Sequence, residues 1–462
     1  MKNMTLEAIA RVTHGQLFYP KNYIKTPERE IAGVVNDNRK VQEGYLFVPV
    51  IGARVDGHSF IEDVFAKGAY ATLSMRQLED CPGPYILVED SLKALIAIAT
   101  FYREQLTIPI VGIIGSVGKT STKEMVSSVL SQRYKVLKTE GNYNNNIGLP
   151  LTICSIKEEH TVAVVEMGIS DFNEMHELGE IAKPNIVVMT NIGQCHLEQL
   201  HTRDGILQAK TEVFDHMPKD GVVILNADDD KLCTADTKGL TKRFYGLQSD
   251  YVFAKNVRVA SLSDTAMTLY CPAGQADVVI PLPGVHNCLN AMAATAVGVE
   301  LSLSMSEICA GIESVKTIEG RNNIFTIHGV TVIDDCYNAN PVSMKSSIEV
   351  LGKATGRTIA VLGDMGELGR DEAMLHYDIA KALDKCGITM LFAVGKLANE
   401  YIKGLDDCKA SCRYAHYDSI DEMLSDLLPA LSEGDTVLVK ASHFMNFSEV
   451  VGKIKNTLEN KR

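Results

Sequence analysis

Residues 112–120 read Gly-Ile-Ile-Gly-Ser-Val-Gly-Lys-Thr, set between a strongly apolar run, Ile110 to Ile114, and a helical pattern over Thr120 to Leu130. The string is read as a phosphate-binding loop of the G-x-x-x-x-G-K-[ST] type, in which backbone N–H groups wrap a phosphate and a helix N-terminus faces it. A strand, a glycine loop and a helix in that order belong to parallel α/β sheets, so this stretch constrains the fold more than any other. A glycine turn without function could carry the same letters, but its flanking elements argue against that. Gly115 and Gly118 permit close backbone approach, with Ser116, Val117 and Ser121 completing the loop and the helix start. Lys119 supplies a point charge for the outer phosphates and Thr120 a hydroxyl for Mg2+.

The rest of the chain fits a parallel sheet. Ile110 to Ile114, Val162 to Val165, Ile186 to Met189 and Val222 to Leu225 are continuous apolar runs separated by helical patterns, as expected of strands buried on both faces. Tyr251 to Pro283 alternates instead and reads as an antiparallel insertion or edge. Apolar runs at Val330 to Ile333, Thr358 to Leu362, Met390 to Val394 and Thr436 to Val439 predict a second doubly wound, Rossmann-like unit. Ahead of the glycine loop, Gly44 to Val50 and Pro84 to Val88 read as strands and Leu92 to Tyr102 as a helix. With 462 residues, about three domains are expected. We place them at 1–106, 107–316 and 317–462, all α/β.

Charge and cysteines narrow the function classes. Lys plus Arg number 45 against 58 for Asp plus Glu, a net charge of −13, with no long basic run, which disfavours general nucleic-acid binding. The N-terminus lacks the apolar core of a secretory signal, and no apolar stretch is long enough to span a bilayer. Eleven cysteines are scattered singly, as in a reducing compartment. A cytoplasmic protein without membrane insertion, most simply a monomer, is expected.

A magnesium-dependent phosphate loop needs a hard oxygen ligand, and Glu166, at the carboxyl end of the Val162 run, stands where doubly wound sheets bind ligands. His196 follows the Ile186 to Met189 strand on a neighbouring loop at the same edge, and Lys210 lies on the next helix. Alone, each would be read as an ordinary structural or solvated group. Later come Asn290 in Gly284-Val-His-Asn-Cys-Leu-Asn, Arg321 at the proposed domain junction, and Asp335 and Asn338 between a strand and a helix beginning near Pro341.

Together these stretches resemble the Mur ligase family. The resemblance rests on Gly-Ser-Val-Gly-Lys-Thr-Ser, Glu166-Met-Gly, Asn191-Ile-Gly with His196, Ala-Lys210-Thr-Glu, His286-Asn-Cys-Leu-Asn290-Ala and Asp-Asp335-Cys-Tyr-Asn-Ala-Asn-Pro. Gly141-Asn-Tyr-Asn-Asn145-Asn-Ile-Gly-Leu-Pro and Val361-Leu-Gly-Asp-Met-Gly-Glu-Leu-Gly369 are most like the branch that joins D-alanyl-D-alanine to a UDP-N-acetylmuramoyl tripeptide. The resemblance implies that ATP phosphorylates the tripeptide carboxylate and that the dipeptide amine attacks the acyl phosphate. It places Lys119, His196, Lys210 and Arg321 in catalysis. It places Gly115, Ser116, Val117, Gly118, Lys119, Thr120, Ser121, Asn290, Arg321, Asp335 and Asn338 on ATP. Thr120, Glu166, His196 and Lys210 as a carbamate would hold two Mg2+ ions, and Asn38, Arg39, Asn144 and Asn145 the UDP-linked substrate. Another Mur-type ligase adding a different amino acid, or a nucleotide-binding scaffold, is the alternative. Cys336, Asn173 and Lys440-Ala441-Ser-His443 depart from the family pattern, the last bearing on dipeptide selectivity.

Overall fold

The apolar runs flanking the glycine loop do form one parallel sheet. In the computed structural model, which describes residues 1–21, 29–52, 55–259 and 261–460, its strands lie in the order Thr241–Tyr245, Val222–Asn226, Ile186–Met189, Ile110–Ile114, Val162–Glu166 and Val136–Lys138. Every pairing is parallel, so all six carboxyl ends share one edge. The three middle strands are buried along their whole length. Helices cover both faces: Lys119–Leu130 packs with Val285–Glu300 on one, and Gly148–Cys154 with Glu174–Ala182 on the other.

The alternating segment forms its own antiparallel sheet, Phe253–Val259, Thr265–Cys271 and Gly274–Ile280, which packs on helix Val285–Glu300. One face of each strand meets the core and the other meets water, which gives the two-residue period. Toward the C-terminus a second six-stranded sheet runs Asn323–Ile327, Val330–Asp334, Thr436–Lys440, Thr358–Gly363, Met390–Val394 and Arg413–Tyr417. Its first pair is an antiparallel hairpin and the remainder is parallel. A smaller N-terminal sheet runs Gln16–Phe18, Tyr85–Leu87, Ala71–Ser74, Tyr45–Phe47 and Gly33–Val35, antiparallel only at its first pair.

The N-terminal unit is fastened to the central one by helix Ser91–Glu104. Buried Arg103 donates to the carbonyls of Ala182 (2.7 Å) and Lys183 (2.9 Å), and Tyr102 donates to Ile156 O (2.7 Å). Arg103 thus satisfies carbonyls left without partners where helix Glu174–Ala182 ends. Among the described residues no helix is long and apolar enough to cross a membrane.

Candidate functional site

The glycine loop turns at the carboxyl edge of the central sheet, and its neighbours fix its path. Gly115 has φ +151, and a Cβ there would fall 1.9 Å from Thr190 Oγ1, so only glycine fits. Gly118, at φ +83, precedes helix Lys119–Leu130. Asn191, from the loop after Ile186–Met189, accepts from Val117 N through Oδ1 (3.0 Å) and donates to Val117 O through Nδ2 (3.0 Å). Its carbonyl accepts from Ser116 N (3.0 Å), and Thr190 Oγ1 donates to Val117 O (2.6 Å). The spacing corrects the expected pattern: five residues before Gly118 stands Ile113, fully buried within its strand, and the working motif is the shorter Gly115-Ser-Val-Gly118-Lys-Thr. The chain leaves the sheet only after Ile114, so position 113 has to fill the core instead of turning.

Lys119 folds back to donate to Gly115 O (2.9 Å). Thr120 Oγ1 donates to Glu166 Oε2 (2.9 Å), and Asn144 Nδ2 donates to Glu166 Oε1 (2.8 Å). Glu166 is 3% exposed and has no cationic partner among the described residues. A buried carboxylate beside a hydroxyl, satisfied only by neutral donors, fits a hard divalent cation such as Mg2+. Asn145 points elsewhere: its Oδ1 accepts from Ile147 N and Gly148 N and starts helix Gly148–Cys154.

Lys210 sits in the last turn of helix Arg203–Thr211, 1% exposed, and its Nζ makes no hydrogen bond among the described residues. Burial pushes its pKa down to about 8, and the Lys119 charge adds to the shift. His196 caps the short helix Leu197–Leu200 at φ +52, and its Nδ1 lies 2.8 Å from Glu367 Oε2 of the C-terminal unit. The imidazole holds the Glu367 carboxyl below its ordinary value. Among the described residues no three His, Cys, Asp or Glu side chains converge as a metal cluster.

The C-terminal unit roofs this edge and leaves a cavity of about 200 Å³, lined by Val117, Ser121, Asn290, Arg321, Asp335 and Lys440 among others. Asn290 ties two helices together, accepting from Thr122 Oγ1 (2.8 Å) and donating to Asn287 Oδ1 (3.0 Å). The Arg321 guanidinium lies 4.1 Å from the Tyr337 ring centroid and has no carboxylate partner among the described residues. Asp335 Oδ2 accepts from Lys440 Nζ (2.5 Å) and Ser347 Oγ (2.5 Å), and Lys440 also donates to Asn338 O (3.0 Å). The Asn338 side chain serves the loop itself, accepting from Ala339 N (2.9 Å). Burial lowers the Lys440 pKa against the opposing pull of Asp335.

Lys440 was legible only as part of a departing motif, with no role attached, yet it is the partner of Asp335. Because the pair is buried, removing one member leaves an unpaired charge, at a cost of about 3–5 kcal/mol. Lys440→Met is expected to lower the melting temperature clearly, and Lys440→Met with Asp335→Asn to recover at least half the loss. Equal melting temperatures for the single variant and the parent protein in calorimetry would contradict the pairing.

Asn38 and Arg39 lie away from this edge. Asn38 Nδ2 donates to Asp63 Oδ2 (2.8 Å), and Arg39, its side chain 83% exposed, forks onto Asp37 (2.8 and 2.9 Å). Their neighbours Asn36 and Lys40 instead line a cleft of about 850 Å³ between the N-terminal and central units, with Tyr45, Lys138 and Tyr143. Lys40 donates to Tyr143 OH (3.1 Å) across it, next to Asn144.

A short glycine loop, a strand-end carboxylate beside its threonine, and a second doubly wound unit closing over the loop define a multi-unit P-loop nucleotide-binding protein. Sequence profiles for the Mur ligase family catalytic domain, the Mur ligase middle domain and the Mur ligase glutamate ligase domain match residues 30–103, 113–298 and 320–443. The chain belongs to the Mur ligase family. It is 35% identical over 456 residues to the UDP-N-acetylmuramoyl-tripeptide--D-alanyl-D-alanine ligase of Bacillus subtilis (strain 168), covering 98% of each chain. Among solved structures it resembles MurF from Acinetobacter baumannii, with a TM-score of 0.88 at 30% identity over 98% of this chain and 99% of that one. It also resembles MurF ligase from Thermotoga maritima in complex with ADP, with a TM-score of 0.81 at 28% identity over 93% and 98%.

Proposed function

We propose that this chain is an ATP-dependent ligase that joins D-alanyl-D-alanine to UDP-N-acetylmuramoyl-tripeptide, acting as a monomer in the cytoplasm. The observation that carries the proposal is the glycine loop with Thr120 on Glu166, roofed by the Arg321, Asp335 and Lys440 wall, in a chain similar over nearly its full length to ligases of that name. A carboxylate oxygen of the tripeptide attacks the γ-phosphorus of ATP and ADP leaves. The dipeptide amine then attacks the acyl carbon, phosphate leaves, and the amine gives up a proton.

The chain's task is to hold anions together. Lys119 exchanges Gly115 O for phosphate oxygens, and the N–H groups of Gly118 to Ser121 at the helix start face the same anion, while those of Ser116 and Val117 are held by Asn191. Arg321, without a carboxylate partner among the described residues and stacked on Tyr337, is placed to meet charge developing on the transferred phosphoryl group. Asn290, Asp335 and Lys440 line the pocket for the rest of the nucleotide, with Asn338 shaping its loop. Thr120 and Glu166 would hold one Mg2+, which neutralises phosphate charge. Asn144 fixes the free oxygen of Glu166, so we assign it to this centre as much as to the substrate.

His196 and Lys210 would hold a second cation, provided Lys210 is carbamylated: its neutral amine adds to CO2 and a proton is released. With a pKa of about 8, roughly a tenth of the amine is neutral at pH 7, against a few parts in ten thousand for an ordinary lysine. The added carboxylate would give this position anionic oxygen ligands to act with His196, where the present side chains of the described residues form no metal cluster.

The cleft at Asn36, Lys40 and Tyr143 is the candidate seat of the UDP-linked substrate, with Asn38, Arg39 and Asn145 shaping its surroundings. Lys40→Glu is expected to raise the KM for that substrate about tenfold, with little change in the KM for ATP, in a phosphate-release assay. Tripeptide labelled with 18O in its terminal carboxylate tests the route: the label is expected in inorganic phosphate. Label retained entirely in the peptide would exclude the acyl phosphate.

A further inference from the structure

The C-terminal unit brings one carboxylate, that of Glu367, against His196 of the central unit. Glu367 lies between Met365 and Leu368, both buried, on the loop after strand Thr358–Gly363. That loop is pinned from two sides: Met365 N donates to His376 Nε2 (2.8 Å), and Gly366 N donates to Ser442 Oγ (2.8 Å). Glu367 itself is held at φ +59, a left-handed conformation that a residue with a side chain adopts at a cost of about 1 kcal/mol. Its carboxylate stands 2.8 Å from His196 Nδ1, in the central unit, while its side chain is otherwise 68% exposed. The exposure shows that the strained residue is not spent on packing, and the loop's anchors aim it at the imidazole.

A carboxylate only accepts, so in the neutral imidazole Nδ1 carries the proton in this contact and the lone pair is left on Nε2. Nε2 makes no hydrogen bond among the described residues. Histidine that ligates a metal commonly donates its other N–H to a carboxylate, which fixes the tautomer and raises the basicity of the ligating nitrogen. We infer that Glu367 is a positioning residue: reaching across from the C-terminal unit, it orients His196 with Nε2 toward the second cation, so that this centre is complete only when the two units are closed. The inference rests on the proposed role of His196. It adds that the contact which orients His196 is made across the two units.

Mn2+ binding to the full chain with a non-hydrolysable ATP analogue, followed by electron paramagnetic resonance, tests this without turnover. His196→Ala is expected to lose one of two Mn2+ sites. Glu367→Ala should weaken that same site about 10- to 100-fold, and Glu367→Gln, whose carbonyl oxygen still accepts from Nδ1, should weaken it less. Adding Glu367→Ala to His196→Ala should change nothing further, as expected of residues acting through one contact. Since Glu367 is largely exposed, the melting temperatures of its variants should match that of the parent. If His196→Ala retains both Mn2+ sites, the metal role of His196 fails. If His196→Ala loses a site but Glu367→Ala binds Mn2+ as the parent does, or Glu367→Gln loses as much as Glu367→Ala, the positioning role alone is overturned.

Discussion

Lys119→Ala is expected to lower kcat by about 10³-fold or more while leaving the fold intact, a loss of roughly 4 kcal/mol of transition-state stabilisation. The side chain holds no core together: its one hydrogen bond among the described residues goes to Gly115 O, within its own loop. Its charge sits at the start of helix Lys119–Leu130, where the loop N–H groups already favour an anion. Those N–H groups survive the substitution, so ATP should still bind, and kcat should fall more than the KM for ATP rises. That asymmetry marks an interaction made mainly in the transition state. Stopped-assay turnover and nucleotide binding, measured on the same preparation, check it. Turnover at the parent rate would remove Lys119 from the mechanism.

Lys210→Ala should be nearly as damaging, by about 10²- to 10³-fold, for a different reason. A buried ammonium without a partner is a poor feature in any protein, and burial already drives Lys210 toward its neutral form. The proposed carbamylation would turn the position from a destabilised cation into an anion able to hold a second metal. Short carboxylates added to the Lys210→Ala protein should therefore restore part of the activity by occupying the vacated space. In the parent protein, CO2-depleted buffer should slow turnover, more so at pH 6.5 than at pH 8.5. The sign follows from the shift: below about 8 the ammonium dominates and cannot add to CO2, and above it the neutral amine does. Activity indifferent to CO2, with no rescue by carboxylates, would leave Lys210 a structural residue.

What could be read from the sequence follows from burial. Strands Ile110–Ile114, Ile186–Met189 and Met390–Val394 announce themselves as unbroken apolar runs because helices cover both their faces. The outer strands Val136–Lys138, Thr241–Tyr245 and Arg413–Tyr417 escape notice because part of each meets water and carries Lys, Arg, Thr or Tyr. The same holds for the site. The glycine loop and Glu166 are consecutive with the strands that carry them, so position along the chain predicts position in space. Asn144 on Glu166, Lys440 beneath Asp335 and Glu367 against His196 are pairings between distant segments, and no local pattern encodes them. Asn38 and Arg39 illustrate the converse, since a matching motif does not say which way a surface side chain turns.

The claim at the centre of this account is that one focused site on a chain of net charge −13 joins a dipeptide to a UDP-linked tripeptide at the expense of ATP. Phosphate release by the purified protein, given ATP, Mg2+ and UDP-N-acetylmuramoyl-tripeptide, measures it most directly when the amine is varied. Rapid release with D-alanyl-D-alanine and little with single amino acids is the predicted result. Release driven by a single amino acid, with D-alanyl-D-alanine inert, would contradict it.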